Sequence, residues 1–320
     1  MKLLFVCDPL ASFHLAKDST LAMMREADRR GHALWACHTH DLFWLSGQTV
    51  SAQAQRLHIT HDPVAWFELE PPAVHGLAAF DAVLMRKDPP FDSEYFYATH
   101  LLSQAQREGA RVFNDPLALR EHPEKLALMA YPAWTSPTLV TRQPQAIRDF
   151  HEAHQDIILK PLDGMGGMGI FRVKADGLNL GSVIETLNRH GTTSVMVQRF
   201  VPEIAQGDKR VLLIDGVAVP YALARIPQGQ EVRGNLAAGG KGVAQPLSER
   251  DQQIAQALGP GLAAKGLLLV GLDIIGSCLT EVNVTSPTCF REITDQTGLD
   301  VAALFIDALE QRVAKPMLGH

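Results

Sequence analysis

Residues 156–173 read Asp-Ile-Ile-Leu-Lys-Pro-Leu-Asp-Gly-Met-Gly-Gly-Met-Gly-Ile-Phe-Arg-Val: an apolar run carrying Lys160, a turn containing Gly164, Gly166, Gly167 and Gly169, and a second apolar run. Backbone N–H groups in such a loop can fold over a polyphosphate while Lys160 supplies a fixed positive charge. Further along, Asp273 and the run Glu281-Val-Asn283 lie on either side of another strand turn. Their oxygen donors are of the kind Mg²⁺ takes when it also holds substrate phosphates. An amide as third ligand favours magnesium or manganese over zinc. Together the two segments predict Mg–ATP held between two sheets, with ATP powering the chemistry.

The glycines satisfy G-x-G-x-x-G, a weak signal alone. A dinucleotide fingerprint needs a helix to begin inside the glycines, whereas Ile170-Phe171-Arg172-Val173 is β-branched and aromatic and points to a strand. The loop therefore closes a hairpin. A Walker loop and the H-R-D and D-F-G segments of a protein kinase are absent. A bare turn would not need so much backbone entropy as these glycines cost.

The metal register follows from strand alternation, which puts Glu281 and Asn283 on one face. A three-residue hairpin loop, Gly276-Ser277-Cys278, would pair Ile275 with Leu279 and set Asp273 opposite Glu281. Asn283 would then face Gly271, whose missing side chain leaves room for an ion and phosphate. A two-residue loop would put Leu272 opposite Glu281 and scatter the ligands. The three-residue loop is predicted. Facing carboxylates repel unless a cation lies between them.

These segments need sheets to hold them. In the first third of the chain, Leu3–Cys7 reads as a buried strand. Asp18 or Ser19 caps a helix through Leu21, Met24 and Ala27 that stops at Gly31, and Ala33–Cys37 is the next strand. Ala82–Met85 delivers Arg86 and Lys87 at its C-terminal end, where open α/β sheets meet ligands. A helix from Ser93 to Glu108 and a strand at Arg111–Phe113 follow. This alternation predicts an open, mostly parallel sheet. Later, Ser194–Phe200 is a strand ending in a Val201-Pro202 hinge, and Asp215-Gly216 is the strongest short hairpin signal. Residues 226–242 hold five glycines, with Arg225 and Arg233 at or inside the rim, and make a candidate lid. Ser248 and Asp251 suggest a capping box for a helix reaching Lys265, and Leu299–Val313 is a final amphipathic helix.

Composition bounds the rest. The chain has 320 residues, 46% hydrophobic and 20% charged, enough for two or three sub-domains of ordinary globular type. A net charge of −6 without a basic run argues against nucleic acid or anionic membranes as partners. The initial apolar run is too short for a signal peptide, and no stretch approaches membrane-spanning length. Cys7, Cys37, Cys278 and Cys289 show neither zinc spacing nor a disulfide framework, so a cytoplasmic enzyme with free thiols is expected.

Lys125, the Lys160 glycine hairpin and the Asp273/Glu281/Asn283 triad together resemble the ATP-grasp superfamily. Met85–Asp92, Ile158–Gly167, Gly207–Val211, Ala224–Gly229, Arg233–Gly240 and Glu281–Cys289 extend the resemblance to bacterial glutathione synthetases over nearly the whole chain. One departure is Met168, where a small residue would be expected; it touches loop packing rather than chemistry. The resemblance implies an α/β (α+β) ATP-grasp fold in three parts. Residues 1–122 would form an N-terminal, Rossmann-like preATP-grasp domain on the substrate side. Residues 123–201 would form the small lid subdomain with the glycine hairpin. Residues 202–316 would carry the metal site and the mobile loop 226–242.

The same resemblance implies ligation of γ-L-glutamyl-L-cysteine to glycine through an acyl phosphate, with ATP and Mg²⁺ (or Mn²⁺) required, in a homotetramer. By position, Lys125, Lys160, Gly164, Gly166 and Gly167 would hold phosphates, Gln198 with the Phe200 and Val201 backbone the adenine, and Asp208 the ribose. Asp273, Glu281 and Asn283 would hold the metal. Arg210, Arg225 and Arg233 are the candidates for catalytic charge stabilisation, and Arg86, Lys87, Asn235, Ser286 and Thr288 for substrate binding. Two alternatives stay open: another carboxylate–amine ligase of this fold, such as a D-alanine–D-alanine ligase, or a non-catalytic ATP-binding module.

Overall fold

The computed structural model describes residues 1–315 apart from 61, 63, 230, 232, 237 and 238. Strand β1 (Lys2–Cys7) is buried at every position after Lys2 and lies between two parallel neighbours, β2 (Ala33–Cys37) and β7 (Ala82–Arg86). A strand covered on both faces reads as a continuous apolar run, which is why Leu3–Cys7 was legible. The strands between them are β3 (Leu42–Phe43), β4 (Ser51–Ile59), β5 (Phe67–Leu69) and β6 (Ala73–Gly76). With β8 (Val112–Phe113) they complete an eight-stranded sheet whose main path runs β3-β4-β2-β1-β7-β8.

Only the β2-β1-β7-β8 centre is parallel; β4 pairs antiparallel with β2, β3, β5 and β6. The expectation of a mostly parallel sheet is corrected to that extent. Strand β4 buries Ala52, Ala54 and Leu57, and such small side chains give a faint alternation in the sequence. Helix α1 (Ser19–Arg29) is capped by the Asp18 side chain at Leu21 N, and α2 (Ser93–Arg107) by Asp92 at Tyr95 N. The short α3 (Pro116–Glu121) follows β8.

The second sheet, β11-β10-β12-β9, is antiparallel and built from β9 (Thr138–Thr141), β10 (Ile157–Pro161), β11 (Phe171–Val173) and β12 (Val195–Arg199). Alternation along its strands decides the site. Ile157, Leu159, Val195 and Val197 share a core with Ile147 of α4 (Pro144–His154) and Val183 and Ile184 of α5 (Leu180–Asn188). Lys160 and Gln198, one residue out of phase, therefore point to the other face.

The third sheet, β15-β14-β13-β16-β17, is also antiparallel. Its strands are β13 (Asp208–Ile214), β14 (Val217–Ile226), β15 (Lys241–Pro246), β16 (Leu269–Ile275) and β17 (Cys278–Asn283). Helix α6 (Glu249–Ala264) starts at a reciprocal Ser248/Asp251 capping box, and α7 (Phe290–Thr297) and α8 (Val301–Ala314) close the chain. The first and third sheets share two apolar cores, one joining Met85 and Leu102 to Val211 and Leu272, the other joining Leu3 and Phe5 to Leu212 and Phe305. Lys209 and Asp251 form a buried ion pair at 2.5 Å beside α6.

Candidate active site

The β16–β17 turn sets the metal corner, and its route differs from the one expected. Ile275 pairs with Cys278 across a two-residue Gly276-Ser277 turn, not a three-residue loop. Uninterrupted, that turn would have put Leu272 opposite Glu281. The register instead shifts between Asp273 and Ile274, leaving Thr280 without a pairing partner, so Asp273 faces Glu281 and Gly271 faces Asn283. A β-bulge restores the phase that the shorter turn lost. It also aims the Thr280 carbonyl at Lys160, whose Nζ donates to it at 3.2 Å.

Lys160 thus meets the metal corner across the gap between the second and third sheets. Lys125, buried just before the second sheet, bridges the same gap: its Nζ lies 3.0 Å from Glu281 Oε1 and donates to the Gly164 carbonyl at 2.5 Å. Between the sheets is a cavity of about 340 Å³, within the usual range for a small-molecule site. It is lined by Lys125, Lys160, the glycine hairpin, Gln198, Phe200, Val201, Asp208, Asp273, Glu281 and Asn283. Arg210, Arg225, Arg233, Asn235, Ser286 and Thr288 line it too.

Arg86 and Lys87 do not. The Arg86 guanidinium is buried, with Nε donating to Thr20 Oγ1 and Nη2 to the Pro287 carbonyl, both at 3.1 Å. Lys87 pairs with Asp8 at 2.8 Å. Both expected substrate residues thus face protein partners rather than the cavity, and Arg86 braces the turn between Ser286 and Thr288 from behind. A second correction concerns Gly271. The space above it is filled by Arg210, whose Cδ would lie 2.8 Å from an added Cβ.

Asp273 is held by two arginines. Arg210 donates to both its oxygens, at 2.5 and 3.1 Å, and Arg225 Nη2 lies 2.8 Å from Oδ2. Burial opposes its ionisation, but Arg210 and Arg225 outweigh that and hold the carboxyl well below the usual carboxylate range. Asp208 accepts from Arg225 Nη2 at 2.5 Å through Oδ2, while its buried Oδ1 has no partner among the described residues. Burial raises Asp208 to about 6 against the pull of Arg225. The orphaned oxygen is an acceptor that a ligand hydroxyl would satisfy. Burial, reinforced by Lys125 and opposed by Glu281, lowers Lys160 to about 8.

At the far end, Arg172 pairs with the Asp156 carboxylate at 2.6 and 2.9 Å and stacks 3.5 Å over the Phe200 ring. Phe200 N donates to the Asp156 carbonyl at 2.9 Å, so the Phe200–Val201 hinge is braced twice. From the loop 226–242, in which residues 230, 232, 237 and 238 lie outside the described residues, Arg233 Nη1 donates to the Gly167 carbonyl at 3.3 Å. Gly167 has φ +83°, and an added Cβ would sit 2.7 Å from Asn235 Oδ1. The loop and the glycine hairpin meet here, and only glycine permits it. Met168, the bulky departure, is exposed.

No three His, Cys, Asp or Glu side chains converge as a metal cage among the described residues. Two carboxylates and an amide fit a divalent ion that keeps phosphate oxygens among its ligands. Cys289, which follows β17, is buried with its thiol pushed up by burial, the wrong direction for a nucleophile. Among the lining residues that sequence reading missed are Glu124 and Ser136. Glu124 stands beside Lys125, but its partners are 160 residues away. Nothing local marked Ser136, whose buried hydroxyl has no partner among the described residues.

Comparisons with known proteins agree with this geometry. The family model for the prokaryotic glutathione synthetase N-terminal domain matches residues 1–120, and that for its ATP-grasp domain matches residues 124–298. The glutathione synthetase of Ralstonia nicotianae is 59% identical over 319 residues, covering 100% of this chain and 98% of the relative. Among solved structures, the D-cycloserine synthetase DcsG superposes with a TM-score of 0.67 at 16% identity, over 97% of this chain and 99% of that one. The ATP-grasp ligase PsnB, complexed with minimal precursor, Mg and ADP, gives 0.62 at 18% identity, over 98% of each. At those identities the two structures establish the fold alone. The chain is an ATP-dependent C–N ligase that uses a divalent metal. Matched from end to end, it belongs to the prokaryotic glutathione synthetase family.

Proposed function

We propose that this chain joins the cysteinyl carboxylate of γ-L-glutamyl-L-cysteine to the amine of glycine, cleaving ATP to ADP and phosphate and producing glutathione. One observation carries the reading. Two phosphate-seeking lysines and the Asp273/Glu281/Asn283 corner face each other across a single cavity, with Lys125 touching both walls.

The nucleotide would lie with its base against Gln198 and the braced Phe200–Val201 backbone. Its ribose hydroxyl would satisfy the orphaned Asp208 Oδ1. Lys125, Lys160 and the N–H groups of Gly164, Gly166 and Gly167 would hold its phosphates. Mg²⁺ on Asp273, Glu281 and Asn283 would supply charge neutralisation of phosphate oxygens; Mn²⁺ suits the same donors. The dipeptide carboxylate attacks the γ-phosphorus, the bond to the β-phosphate oxygen breaks, and ADP leaves with the electron pair. Glycine's amine then attacks the acyl carbon, phosphate departs, and the nitrogen gives up a proton. Arg210 and Arg225 lie at the wall where the tetrahedral oxyanion would form. Arg233 and Asn235, packed on the glycine hairpin, would keep water from the acyl phosphate. Ser286 and Thr288 would orient the acceptor.

Phosphate release with γ-glutamylcysteine plus glycine, against D-alanine pairs and other amino acids, tests the substrate. ¹⁸O placed in the cysteinyl carboxylate should appear in the released phosphate. Preferred turnover of a D-alanine pair, or no isotope transfer, would sink the assignment. The proposal includes a homotetramer, checked by sedimentation equilibrium, and a cytoplasmic location. Four free cysteines support that location, and no helix among the described residues is long and apolar enough to cross a membrane.

A further inference from the structure

We propose that Glu124 is the anion that receives the protonated amine of the acceptor amino acid; this rests on the ligase reading above. The Glu124 side chain is fixed without any ligand. Its Oε1 accepts from Val284 N at 2.9 Å, Thr285 N at 3.1 Å and Thr285 Oγ1 at 2.8 Å. Its carbonyl accepts from Val282 N at 3.0 Å. One oxygen is therefore fully used in pinning the turn that leads into Ser286 and Thr288. The other, Oε2, receives no hydrogen bond from the described residues, and Glu124 lines the cavity beside those two residues.

The surrounding cations are committed elsewhere. Lys125 serves Glu281 and the Gly164 carbonyl, and Lys160 serves the Thr280 carbonyl. Arg86 serves Thr20 and Pro287, while Arg210 and Arg225 serve Asp273 and Asp208. A half-buried carboxylate without a paired cation is costly, and burial together with Glu281 pushes the Glu124 carboxyl upward. An incoming ammonium is the missing counter-charge. Amino acids arrive as ammonium ions at neutral pH, and an N⁺–H to carboxylate bond is stronger and more directional than a neutral one. Lys125, the next residue, lines the same cavity, so an amine anchored on Oε2 is held beside the proposed phosphate site and attacks after passing one proton to that carboxylate.

Glu124→Gln isolates the charge, because its amide oxygen can still accept the three bonds from Val284 and Thr285. In the full-length enzyme with Mg–ATP and γ-glutamylcysteine, KM for glycine should rise about 10- to 100-fold, the size of one charge-assisted hydrogen bond. KM for ATP and for the dipeptide should stay within about twofold. Hydroxylamine, mostly uncharged at neutral pH, should form hydroxamate with E124Q nearly as well as with the native enzyme. Thr285→Val removes one support of Oε1 and keeps the charge, and should leave the KM for glycine nearly unmoved. An unchanged KM for glycine in E124Q, or an equal rise in T285V, overturns the inference. So does a loss of Mn²⁺ affinity in E124Q, followed by electron paramagnetic resonance. Should E124Q not fold, Glu124→Asp, which withdraws the carboxylate by one methylene, should raise the KM for glycine and spare hydroxylamine. No phosphate release by the native enzyme would fell the ligase reading itself, a different outcome from any of these.

Discussion

Lys160 has a backbone carbonyl as its only protein hydrogen-bond partner among the described residues, and its burial lowers it from an ordinary value of 10.5 to about 8. A polyanion brought against it stabilises the ammonium and raises that value again. The sign follows directly. Between the free and the bound pKa, binding takes up a proton, so affinity for ATP is full below about 8 and declines as the pH rises through it. Calorimetric titration with ATP in two buffers of different ionisation enthalpy should show net proton uptake near pH 8, abolished in Lys160→Met. Asp273 behaves in the opposite way. Held ionised by Arg210 and Arg225, it stays an anion across the neutral range and offers charge to a cation at any working pH.

Among the elements, the β16–β17 hairpin carries the most information in the fewest residues. Its two-residue turn and its bulge at Thr280 each shift the strand phase, and only together do they place Asp273 opposite Glu281. Removing Thr280 would leave Glu281 opposite Asp273 but take away the bulge carbonyl that accepts from Lys160. Deletion of Thr280 should raise the KM for ATP about 10-fold, the scale of one hydrogen bond to a charged group, with the far-UV circular dichroism preserved. An unchanged KM for ATP in the deletion variant would show that the bulge does not position the Lys160 ammonium. Loop 226–242 works differently, touching the glycine hairpin through Arg233 and Asn235 rather than through a shared sheet.

Across the whole molecule, the first and third sheets behave as one body because they share apolar cores. Asn114 clasps them. Its amide donates to the Leu269 and Val284 carbonyls at 2.7 and 2.8 Å and accepts from Leu269 N at 2.9 Å. Asn114→Ala leaves those buried backbone groups unpaired and should cost about 2–4 kcal/mol, read from urea unfolding. The second sheet has its own core on the α4–α5 side, while its other face turns Lys160 and Gln198 to the cavity and buries Met196 in the core of the other two sheets. That division suits a layer that opens and closes over a ligand.

The order of motifs alone marked a glycine hairpin with its lysine and a set of oxygen donors as candidates for phosphate and metal, because glycine, lysine and carboxylate at those spacings have few other uses. Helix starts at Asp18 and Ser248 and the buried runs of β1 and β2 were equally local, since capping and apolar continuity are read within a few residues. Tertiary structure decided what depends on phase and distant pairing. The bulge at Thr280 leaves no mark in composition, and Arg86 is turned inward by Thr20 and Pro287. Glu124 gains its place from a turn that the chain reaches only 160 residues later. Local chemistry names the groups; long-range register decides which of them face the same cavity.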